Sequence, residues 1–192
     1  MPPLVLASSS PYRRELLIRL RQPFEWASPD IDETPLPGEQ AEPLVRRLAE
    51  AKARALSERY PNHLIIGSDQ AAVLDKQILG KPHNFDRARE QLLAASGASV
   101  TFLTGLALLD SSSGHCLVDA IPFTVHFRSL NEEQICRYLA AEQPYDCAGS
   151  FKAEGLGISL FRATEGDDST SLIGLPLIRL TSMLNDAGIA IP

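Results

Sequence analysis

The groups able to do chemistry fall into six short stretches of the chain. Near the start, Ser8-Ser9-Ser10 meets Pro11, and Tyr12, Arg13 and Arg14 follow at once. Serine hydroxyls, two guanidiniums and the free N–H groups of a helix beginning at Pro11 are all donors, so this turn suits an anion such as phosphate. A plain capped helix accounts for Ser10 and Pro11 equally well. Asp30, Asp32 and Glu33 lie in the proline-rich loop Pro29–Gly38, where oxygen ligands for Mg2+ or Mn2+ can gather. Lys52 stands between alanines on a helical stretch, free by its spacing to reach inward or to face solvent. Ser68-Asp69-Gln70 follows the apolar run Leu64-Ile65-Ile66 and Gly67, which places an acid at a strand end, a rigid seat for a general base or metal ligand. Gly80-Lys81-Pro82 holds a lysine on a stiffened turn, apt for a point-charge contact with phosphate. Last, the loop from Cys147 to Gly157 carries glycines that allow close approach, with Lys152 and Glu154 available to a ligand. Taken singly, each of these is as readily a cap, a turn or a solvated face.

The elements that must position these groups follow from hydrophobic periodicity and turn signals. Leu4–Ala7 reads as a buried strand and Pro11–Arg21 as a helix with Leu16, Leu17 and Leu20 on one stripe. Phe24–Ala27 is a second strand. Glu39–Tyr60 is a long helix whose Leu44, Leu48, Ala51, Ala55 and Leu56 share a face. A strand begins at His63–Ile66 and leaves the core at Gly67; Asp75-Lys76 turns into a second arm, Gln77–Leu79. Helix Phe85–Ser96 comes next. Val100–Leu109 and Cys116–Phe127 form an antiparallel pair about the turn Asp110–Gly114. Helix Asn131–Glu142, strand Gly157–Arg162 and helix Leu175–Ala187 complete the chain. Strands mixed with helices and hairpins predict an α/β fold with a mixed sheet, not a doubly wound parallel one.

Bulk properties narrow the function classes. At 192 residues the chain fits one domain, or one with two lobes. A formal net charge of −6 argues against a general nucleic-acid binder, while local basic sites still suit an anionic substrate. Three widely spaced cysteines, without metal-site spacing, predict reduced thiols and a cytoplasmic protein. No basic-then-apolar leader is visible, and no run nears the roughly eighteen apolar residues of a membrane span.

In their order along the chain these stretches resemble the Maf family of nucleoside triphosphate pyrophosphatases over nearly the full length. The matching residues are Leu6-Ala-Ser-Ser-Ser-Pro-Tyr-Arg-Arg14, Asp32-Glu-Thr34, Ala51-Lys52-Ala53, Ile66-Gly-Ser-Asp-Gln70, Gly80-Lys-Pro82, Thr104-Gly105 and Ala148-Gly-Ser-Phe151. The resemblance implies a single domain over residues 1–192, an elongated two-lobed mixed α/β fold like that of inosine triphosphate pyrophosphatases (Maf/Ham1-like), with a central cleft. It implies cleavage of a nucleoside triphosphate between its α and β phosphates to monophosphate and pyrophosphate, with a divalent cation, Mg2+ or Mn2+. Asp69 is the implied general base and, with Glu33, the implied metal ligand. Ser8, Arg13, Lys52 and Lys81 match the positions that hold the triphosphate. A homodimer is the family-level expectation. The chemistry is consistent: phosphoryl transfer needs an oriented water and neutralised phosphate oxygens.

Three positions track the base within the family, here Tyr12, Gln70 and Glu154. An aromatic, Gln and Glu resemble the branch acting on 7-methyl-GTP, whereas the dTTP and UTP branch shows Arg, Thr or Lys, and Gln. A 7-methylguanine is cationic, so an aromatic face gains cation–π attraction and a carboxylate pairs with N1–H and the exocyclic amine. The alternatives are a pyrophosphatase for dTTP, UTP or another modified nucleotide, and a nucleotide-binding regulator of cell division with little turnover. The intact Asp69, Lys52, Lys81 and Glu33 set counts against the regulator.

Overall fold

The computed structural model describes residues 2–192. Among these residues seven strands form one mixed sheet: β1 (Leu4–Ala7), β2 (Phe24–Ala27), β3 (Leu64–Leu74), β4 (Gln77–Leu79), β5 (Ser99–Asp110), β6 (Cys116–Phe127) and β7 (Phe161–Glu165). Their order is β2-β1-β3-β5-β6-β7, with β4 paired to β3. β1 lies parallel to β2 and β3, with Ala7 opposite Gly67, whereas β4 and β7 pair antiparallel to their neighbours. Along β5 and β6 the partners climb on one strand as they fall on the other. Phe127 N–H meets the Ala98 carbonyl, Ser99 meets His126, Thr101 meets Thr124, and Asp110 meets His115, which is the antiparallel hairpin predicted. The expected mixed α/β class is therefore what the chain adopts.

Among the described residues six α-helices accompany the sheet: α1 (Pro11–Ile18), α2 (Ala41–Arg54), α3 (Phe85–Ala95), α4 (Glu132–Glu142), α5 (Ser169–Ile173) and α6 (Leu177–Asp186). Ser10 caps α1 and Pro11 fills its first position, as the sequence predicted. Asn131 and Gln134 close a capping box on α4. Four expectations need correction. α1 stops at Ile18 rather than Arg21, and α2 spans Ala41–Arg54 rather than Glu39–Tyr60, with Ala55 exposed. The strand does not end at Gly67: β3 continues through Ser68, Asp69 and Gln70 to Leu74. The strand expected at Gly157–Arg162 is a 3-10 turn over Leu156–Leu160, with β7 only beginning at Phe161. A Cβ at Gly157 would lie 2.2 Å from the Lys152 carbonyl, so the chain is folded back on itself there and cannot be extended.

The chain forms two compact units, one of Met1–Gln70, Thr104–Ile121 and Asp168–Pro192, the other of Ala71–Leu103 and Pro122–Asp167. In the first, strands buried on both faces sort their side chains by parity. Leu4, Leu6, Leu64, Ile66, Leu106 and Leu108 pack with α1 and α6 through Leu16, Leu17, Leu180, Met183 and Leu184. Val5, Ala7, Ile65, Ala107 and Leu109 pack with Ala49, Ala53 and Leu56 of the α2 side. Each fully buried leucine contributes about 2 kcal/mol to folding. The second unit is centred on Phe102, Phe127, Phe151 and Phe161, whose rings meet edge to face at centroid separations of 4.8 to 5.6 Å. The three cysteines are free; burial pushes the Cys116 thiol up to about 11 and the Cys147 thiol up to about 12, which favours their protonated forms. Among the described residues no helix is long and apolar enough to cross a membrane.

Candidate active site

Two glycines decide how closely α2 rests on the sheet. A Cβ at Gly67 of β3 would lie 2.0 Å from the Ala49 carbonyl oxygen, and one at Gly105 of β5 would lie 2.0 Å from that of Val45. The α2 backbone therefore sits directly on both strands, which no side chain at either position allows. The buried stripe of α2 runs through Leu44, Val45, Leu48, Ala49, Lys52 and Ala53. Lys52 thus occupies a core position, 6% exposed, and its direction is settled: inward. Its Nζ donates to Asp69 Oδ1 at 2.7 Å and lies 2.9 Å from Glu33 Oε1. Asp69 is itself 9% exposed, whereas the Glu33 side chain is 56% exposed. One ammonium thus joins a carboxylate from the middle of a strand to one from a loop.

That loop is held by a pair the sequence did not single out. Arg47 on α2 grips Glu39 through two bonds of 2.7 Å, Nε to Oε1 and Nη2 to Oε2, and also donates to the Thr34 carbonyl at 3.2 Å. Glu39 Oε2 in turn accepts from the Leu36 N–H at 2.9 Å. Arg47 above all, with the Leu36 amide, holds the Glu39 carboxyl down to about 2. The same pairing raises Arg47. Asp32 is lowered by Thr34, whose N–H it accepts at 2.9 Å. The two residues either side of Glu33 are thus tied down. A bidentate arginine–carboxylate pair eight residues apart leaves no periodic signal, so neither partner was legible beforehand.

Because β3 runs on, its three polar residues alternate between faces. Asp69 falls with Ile65 and Gly67 on the α2 side. Ser68 and Gln70 fall on the other, against α5, a helix the sequence reading missed. Ser68 Oγ bonds the Gly105 and Gly174 carbonyls at 2.9 Å each. Gln70 Nε2 donates to Thr104 Oγ1 at 3.0 Å, to the Ser171 carbonyl at 2.8 Å and to that of Leu172 at 3.1 Å. Arg13 Nε donates to the Gly174 carbonyl at 2.8 Å. Burial lowers the Arg13 guanidinium, while Asp69 and Glu33 oppose that shift, so Arg13 shares the electrostatic field of the Lys52 cluster. Ser8 is buried, and its Oγ accepts from the Ser10 N–H at 3.1 Å. Ser10 Oγ accepts from the Arg13 N–H at 3.4 Å, so capping claims part of the donor set read as an anion cradle. Tyr12 lies half-buried on the first turn of α1.

Lys81 and Glu154 belong to the second unit, and both are exposed. Lys81 follows Gly80, whose carbonyl accepts from Gln91 Nε2 at 3.0 Å. The loop bearing Glu154 is braced on α4: Glu142 Oε2 accepts from the Leu156 N–H at 2.8 Å, and the Tyr138 hydroxyl accepts from the Lys152 N–H at 3.0 Å.

The donor set near Lys52 fits a hard divalent cation. Asp69 and Glu33 offer carboxylate oxygens, and among the described residues no third His, Cys, Asp or Glu joins them. Mg2+ takes this arrangement, one or two carboxylates completed by substrate phosphates and water. Lys52 and Arg13 balance the charges of Asp69 and Glu33, so the cluster is close to neutral.

The fold is a mixed-sheet α/β protein in which strand glycines seat α2, and with it Lys52, against Asp69. Residues 3–187 match the family model described as Maf-like protein, and the chain belongs to that family. Its relatives include the 7-methyl-GTP pyrophosphatase of Pseudomonas fluorescens, 70% identical over 192 residues and covering all of both chains. Those of Pseudomonas aeruginosa (69% over 192 residues, all of both chains) and Nitrosococcus oceani (60% over 187 residues, 97% of this chain and 94% of the relative) carry the same name. Among solved structures, a HAM1 protein from Coxiella burnetii is similar in fold, with a TM-score of 0.56 at 16% identity, covering 97% of this chain and 100% of that one.

Proposed function

We propose that this chain hydrolyses 7-methyl-GTP to 7-methyl-GMP and pyrophosphate with the help of a divalent cation. The observation that carries the reading is the Lys52 ammonium bonded to Asp69 at 2.7 Å and standing 2.9 Å from Glu33, in a full-length relative of 7-methyl-GTP pyrophosphatases. Water attacks the α-phosphorus in line, the bond to the α–β bridging oxygen breaks, and pyrophosphate leaves. Asp69 orients the attacking water and takes up its proton; a carboxylate fixed on a strand and bonded to a buried lysine has little freedom to misalign. Lys52 holds that carboxylate and offers its charge to the phosphate oxygens. Ser8, Arg13 and Lys81 are the proposed phosphate contacts. Glu33 and Asp69 would hold Mg2+ or Mn2+, which supplies positive charge against the triphosphate oxygens. Tyr12, Gln70 and Glu154 are the proposed base contacts: an aromatic face and a carboxylate both favour a cationic purine over a neutral pyrimidine. In the same reading the enzyme acts on free nucleotide in the cytoplasm, as a homodimer, with neither nucleic acid nor membrane as partner.

The test is a panel of 7-methyl-GTP, GTP, dTTP and UTP with Mg2+ or Mn2+, with products identified. Monophosphate and pyrophosphate, formed fastest from 7-methyl-GTP, are expected. Diphosphate and phosphate, or no turnover, would overturn the reaction, and a preference for UTP or dTTP would overturn the substrate. Asp69→Asn should lower kcat about a thousandfold while sparing most nucleotide binding; an active variant removes Asp69 from its role.

A further inference from the structure

Helix α5 points the carbonyls of its C-terminal turn at the residues of the site. A helix end leaves such groups without intrahelical partners, and they carry partial negative charge. Here their partners are Arg13 Nε and Ser68 Oγ on the Gly174 carbonyl, and Gln70 Nε2 and Thr104 Oγ1 on that of Ser171. A five-residue helix has no stability of its own to keep those carbonyls in place. Its order rests on Asp168, which is 3% exposed. Asp168 Oδ1 accepts from the Thr170 N–H at 2.9 Å and the Thr170 hydroxyl at 2.6 Å, and Oδ2 accepts from the Ile178 N–H at 2.8 Å. One buried carboxylate therefore ties the N-terminus of α5 to that of α6, where negative charge is favoured. Gly174 completes the device: with φ +120°, and with a Cβ there falling 3.2 Å from Arg13 Nε, a larger residue would displace the guanidinium.

We propose that Asp168 is a positioning residue for the reaction, fixing α5 so that the Gly174 carbonyl holds Arg13 in its working orientation. The proposal rests on the reading of Arg13 as a triphosphate contact. Asn in place of Asp168 keeps the size but turns an acceptor into a donor facing other donors, so α5 loosens and Arg13 loses its stop.

The experiment is a double-mutant cycle of Asp168→Asn and Arg13→Lys, read as kcat/KM for 7-methyl-GTP at a temperature where thermal melts show every variant folded. Each single variant should lose about tenfold or more, and the double variant should be no worse than Arg13→Lys within about threefold, because both changes remove one interaction. Losses that multiply overturn the proposal, since they are what a general structural role gives. An Arg13→Lys enzyme with undiminished kcat/KM overturns both the proposal and the phosphate role of Arg13, and so is told apart from the first failure. If Asp168→Asn does not fold, Thr170→Val replaces it. That change removes the hydroxyl that donates to Asp168 Oδ1 at 2.6 Å and accepts from the Leu177 N–H at 2.9 Å, leaving the carboxylate in place, and a smaller loss, again absorbed by Arg13→Lys, is expected; multiplying losses or no loss overturn the proposal.

Discussion

Replacing Gly67 by alanine should uncouple Lys52 from Asp69 without touching either residue. The new Cβ would stand 2.0 Å from the Ala49 carbonyl oxygen, where real contacts stop at 3.0 Å, so α2 has to retreat by about 1 Å or the strand has to buckle. The Lys52–Asp69 bond is now 2.7 Å. A retreat of that size along it gives about 3.7 Å, outside hydrogen-bond range. Misplacing a catalytic group by about 1 Å costs on the order of a hundredfold in rate. Overpacking of this kind costs about 1–3 kcal/mol, and at roughly 2–4 °C per kcal/mol for a chain of this size Tm should fall by about 2–12 °C. Gly105→Ala is the companion: it presses on Val45 O, also at 2.0 Å, but two helical turns before Lys52. Its loss of Tm should match that of Gly67→Ala, while its loss of kcat/KM should be smaller. The assays are pyrophosphate release at 25 °C and thermal unfolding followed by circular dichroism. A Gly67→Ala enzyme with unchanged Tm and kcat/KM within about threefold of wild type would refute the idea that strand glycines seat Lys52 against Asp69.

Two further outcomes follow from the same geometry. Glu39→Gln removes the charged fork that holds the Glu33 loop, so at pH 7 the Thr34 and Leu36 amides should exchange hydrogen faster and KM should rise; unchanged exchange would show that Arg47 does not hold the loop. The Glu39 carboxyl sits at about 2 in the fold against 4.5 ordinarily. Its contribution is therefore complete above pH 4.5 and is lost as pH falls toward 2, so wild-type loop order should be flat from pH 5 to 9. Glu154→Gln should cut kcat/KM for 7-methyl-GTP about tenfold and leave UTP within about threefold, since only the cationic purine uses the carboxylate charge; equal losses for both substrates would refute its role in base selection.

The sequence by itself determined the strands and helices that repeat an apolar pattern and the Ser10-Pro11 helix start. These are local properties: a buried run such as Leu64-Ile65-Ile66 or a cap such as Asn131 is specified by its immediate neighbours. Tertiary structure decided the rest. Lys52 interrupts an apolar stripe, and only the approach of α2 over Gly67 gives its charge the partners that let it turn inward. Ser68, Asp69 and Gln70 read as the exit from a strand because polar residues normally mark one, yet β3 continues because each finds a remote partner: Gly174, Lys52 and Ser171. α5 carries no helical apolar period, and its short turn exists through the buried carboxylate of Asp168. Polar groups are placed by partners dozens of residues away, and periodicity, which records only which face is dry, does not contain those distances.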